Sequence, residues 1–370
     1  MTLQASRPRT GAASVEPAAG TPLPSLTGMR WAAAFVVFVY HVRNFGYFGG
    51  EDARIIDWAF GAGATGVSFF FILSGFVLAW SARGDGTRMF WRRRAARVYP
   101  VHLVTAAAAL VLAFTLVPGL RPGGPVEAAA NLLLVSSWNP QWWQALNPVS
   151  WSLVCEAFFY AVFPALYAGL RRMGPRALTV LVGACVLTVI LLPWANSTFA
   201  LDWSLYSFPL ARFPEFVLGA AIGLLVRTGA WHGPGSEVSM GLTLIGYFGA
   251  HQLTGGTSYA AFTVIGLACL VPAAALNDLR GTGSPWRHRW LVRLGEWSFA
   301  FYMVHVLVMR TAEQLFGSRP ELATKPALVF TAAVFGVSLA LAWALYRWVE
   351  QPGRRWILPR RARGGGSPVR

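Results

Sequence analysis

The chain is 370 residues long, 55% hydrophobic and only 12% charged, with a mean hydropathy of +0.48 and a formal charge of +16. A soluble domain carries about 25% charged residues, so this composition excludes a water-soluble globular protein and points to a polytopic membrane protein. The arginines stand in loops between apolar blocks, which is the positive-inside pattern and argues against a nucleic-acid partner.

Residues 1–24 are rich in Ala, Pro, Arg and Ser and lack an apolar centre. They read as a disordered cytoplasmic tail. Segments long and apolar enough to span follow at 29–47, 64–82, 99–117, 149–170, 177–194, 209–226, 238–251, 259–277, 294–311 and 326–348, the seventh being the shortest. The piece AAANLLLVSSW at 128–138 is too short and is expected as a re-entrant helix. The expected fold is therefore all-α, a transmembrane helical bundle of about ten spans. With the N-terminus inside, most of the arginines fall on the inner side, and both termini are expected to be cytoplasmic. Counting 128–138 as a full crossing would place RRMGPR outside and reverse every later loop. The bundle is expected to cover 25–350, followed by a basic, Gly-rich tail at 351–370. Cys155, Cys185 and Cys269 lie inside apolar segments without CxxC spacing and read as small core residues.

Ionisable groups inside a membrane are costly and usually functional, so they carry most of the information. In LTGMRWAAAFVVFVYHVRNFG, Arg30 and His41 flank a wholly apolar run and stand eleven residues apart. That is close to three whole turns, so both share one helix face, about 16 Å apart along the axis. Structural readings compete: Arg30 as a positive-inside anchor, His41 as a core histidine. GVSFFFILSGFVLAW holds a Ser74–Gly75 pair that suits close helix packing. In MFWRRRAARVYPVHL, Arg94 and Arg97 share a helix face. The planar guanidinium suits phosphate, although topogenic charge alone would also explain the cluster. NPVSWSLVCEAFFYAVFP places Glu156 within a span, Tyr160 one turn on, and Ser150 and Ser152 before it. Arg212 and Glu215 stand i, i+3 and could simply pair with each other. LGEWSFAFYMVHVLVM carries Glu296 near its inner end and His305 in mid-span, with Tyr302 at i−3, where a structural hydrogen bond is the simpler role for His305.

Taken together, these segments resemble the integral-membrane acyltransferase 3 family. The resemblance rests on the Arg30–His41 pair, GVSFFFILSGF, Arg94-x-x-Arg97, NPVSWSLVCE, SFAFYMVH and the final Glu350-x-Pro352, in this order. It runs over nearly the whole chain. Trp31 departs from the small residue that many members carry after the arginine, as an aromatic does in some others.

The resemblance implies a multi-pass enzyme of the cell membrane that moves an acyl group, acetyl or another short chain, from acyl-CoA to a hydroxyl. Its acceptors include sugars of surface glycans and peptidoglycan and of antibiotics, so the expected partners are acyl-CoA, a hydroxyl-bearing sugar or glycoconjugate, and membrane lipids, with no nucleic acid. Some members carry a further hydrolase-like domain, for which the residues after 350 leave no room. On this reading His41 is the general base, because imidazole titrates near working pH, and Glu156 orients it as the acidic member of a triad. Arg30, Arg94 and Arg97 take the CoA phosphates. Ser150, Ser152, Tyr160 and His305 are the expected substrate-binding residues. Direct attack and a covalent acyl-histidine both remain open. The six histidines are scattered without ligand spacing, so no metal is expected. The rival reading is a proton-coupled transporter, but no internal repeat supports it.

Overall fold

A computed structural model describes residues 20–82, 86–200, 204–254 and 259–358. The expected tail at 1–24 therefore lies largely outside the described residues, as does the end of the chain from 359. The described residues form helices α1 (Pro24–Asn44), α2 (Gly50–Phe60), α3 (Thr65–Trp80), α4 (Thr87–Thr115), α5 (Pro125–Leu132), α6 (Trp151–Leu170), α7 (Pro175–Thr198), α8 (Pro209–Arg227), α9 (Ser236–Thr254), α10 (Tyr259–Arg280), α11 (Arg289–Phe316), α12 (Thr324–Leu345) and α13 (Gln351–Ile357). Among them there is no strand; one isolated bridge joins Phe48 to Leu322. Each expected span coincides with a helix. Nine helical runs among the described residues are long and apolar enough to cross a membrane. The run missing from that set is α9, whose ends carry Glu237 and His251. The all-helical membrane bundle is thus as the composition requires, because backbone in lipid must satisfy its own hydrogen bonds.

Residues 128–138 divide between α5 and a short 3-10 turn at Ser136–Trp138. Eight residues of helix rise only about 12 Å, well short of a bilayer. The piece folds back through Asn131, which donates to Ala145 O at 2.8 Å and whose carbonyl faces His102 Nε2 at 3.0 Å.

Two close helix contacts set the site. α1 begins with Pro24 in its first turn, where a missing N–H costs nothing, and packs against α11. The contact is so close that a side chain on Gly295 would collide with the Thr27 carbonyl. α3 and α8 approach through Gly75 and Gly219, where a Cβ would meet the carbonyls of Phe216 and Ile72. Small residues at such crossings let backbones touch, which is how helices gain packing contacts in lipid. The start of α6 is then pinned to α11: Asn147 Nδ2 donates to Met303 O at 2.8 Å, and the Tyr302 hydroxyl donates to Val149 O at 3.2 Å.

α12 passes through a π-helical turn at Tyr346–Glu350 into α13. The segment expected as a tail from 351 thus begins as a helix against α4, held by Arg92 Nε donating to Ile357 O at 2.6 Å.

Replacing Gly219 by Leu should force α3 and α8 apart. Overpacking of this kind costs about 1–3 kcal/mol or more, so the thermal midpoint of the purified protein in detergent should fall. An unchanged midpoint would contradict the close crossing.

Candidate active site

Two cavities occupy opposite ends of the α1 face. One, of about 360 Å³, is lined by Arg30, Arg94, Arg97, Glu156 and Tyr160, with Ser152 on its wall. The other, of about 690 Å³, is lined by His41, Arg212, Glu215, Arg310 and Glu313 among several aromatic rings. Val67 and Tyr302 belong to the walls of both. The cavities therefore abut at these two side chains.

In the first cavity three guanidinium groups face a single carboxylate. Glu156 Oε2 accepts from the Tyr160 hydroxyl at 2.9 Å, one helical turn on. Arg94 stands over the Phe90 ring at 5.9 Å, and its Nε makes no hydrogen bond among the described residues. Phe90 is itself stacked on Phe163, which fixes the side of the cavity from which Arg94 reaches in. Arg30 lies within electrostatic range of Arg97, Glu350 and Glu156. Glu350, at the π-helical turn, is 3% exposed, and its nearest cation is Arg354 Nη1 at 3.9 Å. The excess of positive charge and the unused donors suit a polyanion.

In the second cavity the geometry fixes a tautomer. His305 Nδ1 lies 2.7 Å from Tyr302 O, and a carbonyl only accepts, so His305 Nδ1 carries the hydrogen. In the neutral ring its Nε2 is then a lone pair. His41 Nδ1 faces two acceptors, Val37 O at 2.8 Å and His305 Nε2 at 3.2 Å. It must therefore carry its own hydrogen, shared between them. His41 Nε2 is left as the free lone pair on a ring that lines the cavity. His305 is almost wholly buried, packed parallel to Phe301.

The expected site residues distribute as follows. Arg30, Arg94, Arg97, Tyr160 and Glu156 come together in one cavity, and Ser152 joins them there. Glu156 does not meet His41: it bonds Tyr160, and the contact to His41 Nδ1 comes from His305. His305 sits beside His41 and lines neither cavity. Ser150 is fully buried and committed: it donates to Asn147 O and accepts from Asn131 Nδ2, each at 2.7 Å. Its hydroxyl ties the start of α6 to Asn131 on α5. Sequence reasoning missed Arg310, Glu313, Trp143 and Tyr206 in the second cavity. The i, i+3 spacing of Arg310 and Glu313 near the end of a span was the available signal.

The chain matches the family model Acyl_transf_3, described as an acyltransferase domain, over residues 23–347. It is 38% identical over 362 residues to Acyltransferase MdmB of Streptomyces mycarofaciens, across 92% of this chain and 93% of that one. No solved structure matches it. A family match over most of the length, with a named acyltransferase aligned nearly end to end, settles the class: this chain belongs to the acyltransferase 3 family and is an acyltransferase.

Proposed function

We propose that the enzyme is a membrane O-acyltransferase that takes a short acyl group from acyl-CoA and delivers it to a hydroxyl activated by His41. The observation that carries this reading is the junction of the two cavities. One is cationic, the other holds a histidine whose Nε2 is a free lone pair, and they meet at Val67 and Tyr302. The relative MdmB, which is called an acyltransferase, supports the reaction type. Acceptor chemistry is read from the site.

On this reading the arginine-rich end faces the cytoplasm of a cell whose plasma membrane holds the protein, in keeping with the positive-inside pattern. The CoA phosphates lie against Arg94, Arg97 and Arg30, where charge-assisted hydrogen bonds are strong. The pantetheine arm, of the same order of length as the ~16 Å between Arg30 and His41 along α1, carries the thioester past Tyr302 into the second cavity. His41 Nε2 takes the proton of the acceptor hydroxyl as its oxygen attacks the thioester carbonyl. The C–S bond of the tetrahedral intermediate then breaks, and the departing thiolate takes that proton back as CoA-SH. An ester is left on the acceptor. While His41 holds the extra proton, its Nδ1–H is stabilised by Val37 O and His305 Nε2, so the two neutral acceptors do the orienting work that a carboxylate does in other triads. Glu156, bonded to Tyr160, instead sits among the arginines and offsets part of their charge.

His41→Ala should lower acyl transfer by about 10²–10⁴-fold, the usual worth of a general base, while the protein still inserts and melts normally. Transfer at the wild-type rate would remove His41 from the chemistry. His305→Phe deletes an acceptor without touching the donor cavity. It should reduce kcat with little change in KM for acyl-CoA, and His305→Gln, which retains an acceptor oxygen, should recover part of the loss. Equal kcat in wild type and His305→Phe would contradict the orienting role. Arg94→Ala and Arg97→Ala should each raise KM for acyl-CoA by about 10–100-fold, the cost of losing a hydrogen bond to a charged group. An unchanged dependence on acyl-CoA concentration would take the arginines out of the donor site.

A further inference from the structure

The second cavity contains a feature that acyl transfer from CoA leaves unused. Arg212 and Glu215 sit one turn apart on α8, 7% and 1% exposed, and both line the cavity opposite His41. Arg212 Nη2 lies 3.0 Å from Glu215 Oε2 and donates to Ser68 Oγ at 2.9 Å. The guanidinium also stands over the Phe71 ring at 5.2 Å, which holds it in place. Yet Arg212 Nε and both carboxylate oxygens of Glu215 have no hydrogen-bond partner among the described residues, the contact between the two side chains being an ion pair. An ionised carboxylate has about four lone-pair positions to offer. A buried ion pair with unused polar atoms is costly unless something completes it.

The sign of the cavity narrows what completes it. Arg212 is matched by Glu215 and Arg310 by Glu313, at 3.0 and 2.9 Å. The walls therefore carry little net charge, in contrast to the arginine cavity, and a phosphate-bearing ligand would find no unpaired cation. Trp143 and Tyr206 border the same space, their rings 5.9 Å apart edge to face. An aromatic wall beside one fixed donor and one fixed acceptor is the pattern of an orienting pocket. It offers an apolar surface for the C–H face of a saturated ring and two polar atoms for its hydroxyls.

We infer that Arg212 and Glu215 form the acceptor subsite, in which Glu215 Oε1 accepts from one hydroxyl and Arg212 Nε donates to a neighbouring oxygen of a neutral, polyhydroxylated ring such as a sugar, turning another hydroxyl of that ring toward His41. The assignment rests on the O-acyltransferase reading for the reaction, but the binding itself is testable without it.

Saturation-transfer NMR on the full chain, in a detergent without a sugar headgroup and with no acyl-CoA present, measures that binding directly. The probes are methyl glucoside, cyclohexanol and glucose 6-phosphate. Wild-type protein should give its strongest signal with methyl glucoside, and Glu215→Gln should reduce it by about tenfold, as expected when a hydrogen bond to a charged group is lost. Because Glu215→Gln strands a buried arginine, the charge-neutral double variant Arg212→Gln, Glu215→Gln is measured beside it and should show the same loss. A cooperative thermal transition of each variant in the same detergent reports that it is folded. No methyl glucoside signal in the wild type, a signal unchanged in a folded variant, or a stronger signal from cyclohexanol or glucose 6-phosphate would overturn the assignment. Failure of the acyl-transfer reading would instead show as normal turnover by His41→Ala.

Discussion

His41 Nδ1 has two acceptors in front of it, Val37 O and His305 Nε2, and can bond both only by carrying its hydrogen. That requirement sets the position of the lone pair on the far side of the ring, and much of the bundle is arranged to keep the two histidines in register. Gly295 lets α1 and α11 touch. Asn147 and Tyr302 lock the α6 entrance to α11, and the Tyr302 carbonyl in turn holds His305 Nδ1. Phe38, Phe301 and Phe335 close around the pair with ring centroids 5.4 to 5.7 Å apart. The contact holds the His41 ring without a carboxylate, which would be expensive to desolvate within an apolar bundle.

A second constraint is the separation of charge. The arginines gather in one cavity against a single glutamate, whereas the histidine cavity carries matched pairs. One protein thus has a cationic cavity and a nearly neutral one that share Val67 and Tyr302 as wall residues. Under the proposed function the division follows from joining two substrates of different chemistry: a donor's phosphates would be recognised by charge, and an acceptor's hydroxyls by directional hydrogen bonds.

The helices were legible because a span leaves a long apolar run, and Arg30 and His41 were legible because helix geometry alone relates them. The piece at 128–138 was recognisable from its length. The pairing of Arg212 with Glu215 followed from i, i+3 spacing. What periodicity could not supply was which helix faces which. Placing Glu156 beside His41 required α6 to bring it to the His41 end of α1; it lies instead in the cavity at the Arg30 end, and the nearest relation actually encoded locally was Glu156 with Tyr160 at i+4. His305 was read through its neighbour Tyr302, and its Nδ1 does bond that residue's carbonyl. Its other nitrogen meets a ring 264 positions away, a contact set by the α1–α11 crossing. Ser150 and Ser152 differ only in which side of the α6 start they emerge from, so one became a structural tie and the other a cavity wall.

The account's central claim is a path: donor phosphates at the arginines, thioester beyond Tyr302, carbonyl beside His41 Nε2. The most direct test is an experimental structure with a non-cleavable acetyl-CoA analogue in which a methylene stands between the sulfur and the acetyl carbonyl. The prediction is phosphate density against Arg94, Arg97 and Arg30, with the acetyl carbonyl past Tyr302 and within one hydroxyl's reach of His41 Nε2. Phosphates bound away from those arginines, or an acetyl group that stops on their side of Tyr302, would contradict it.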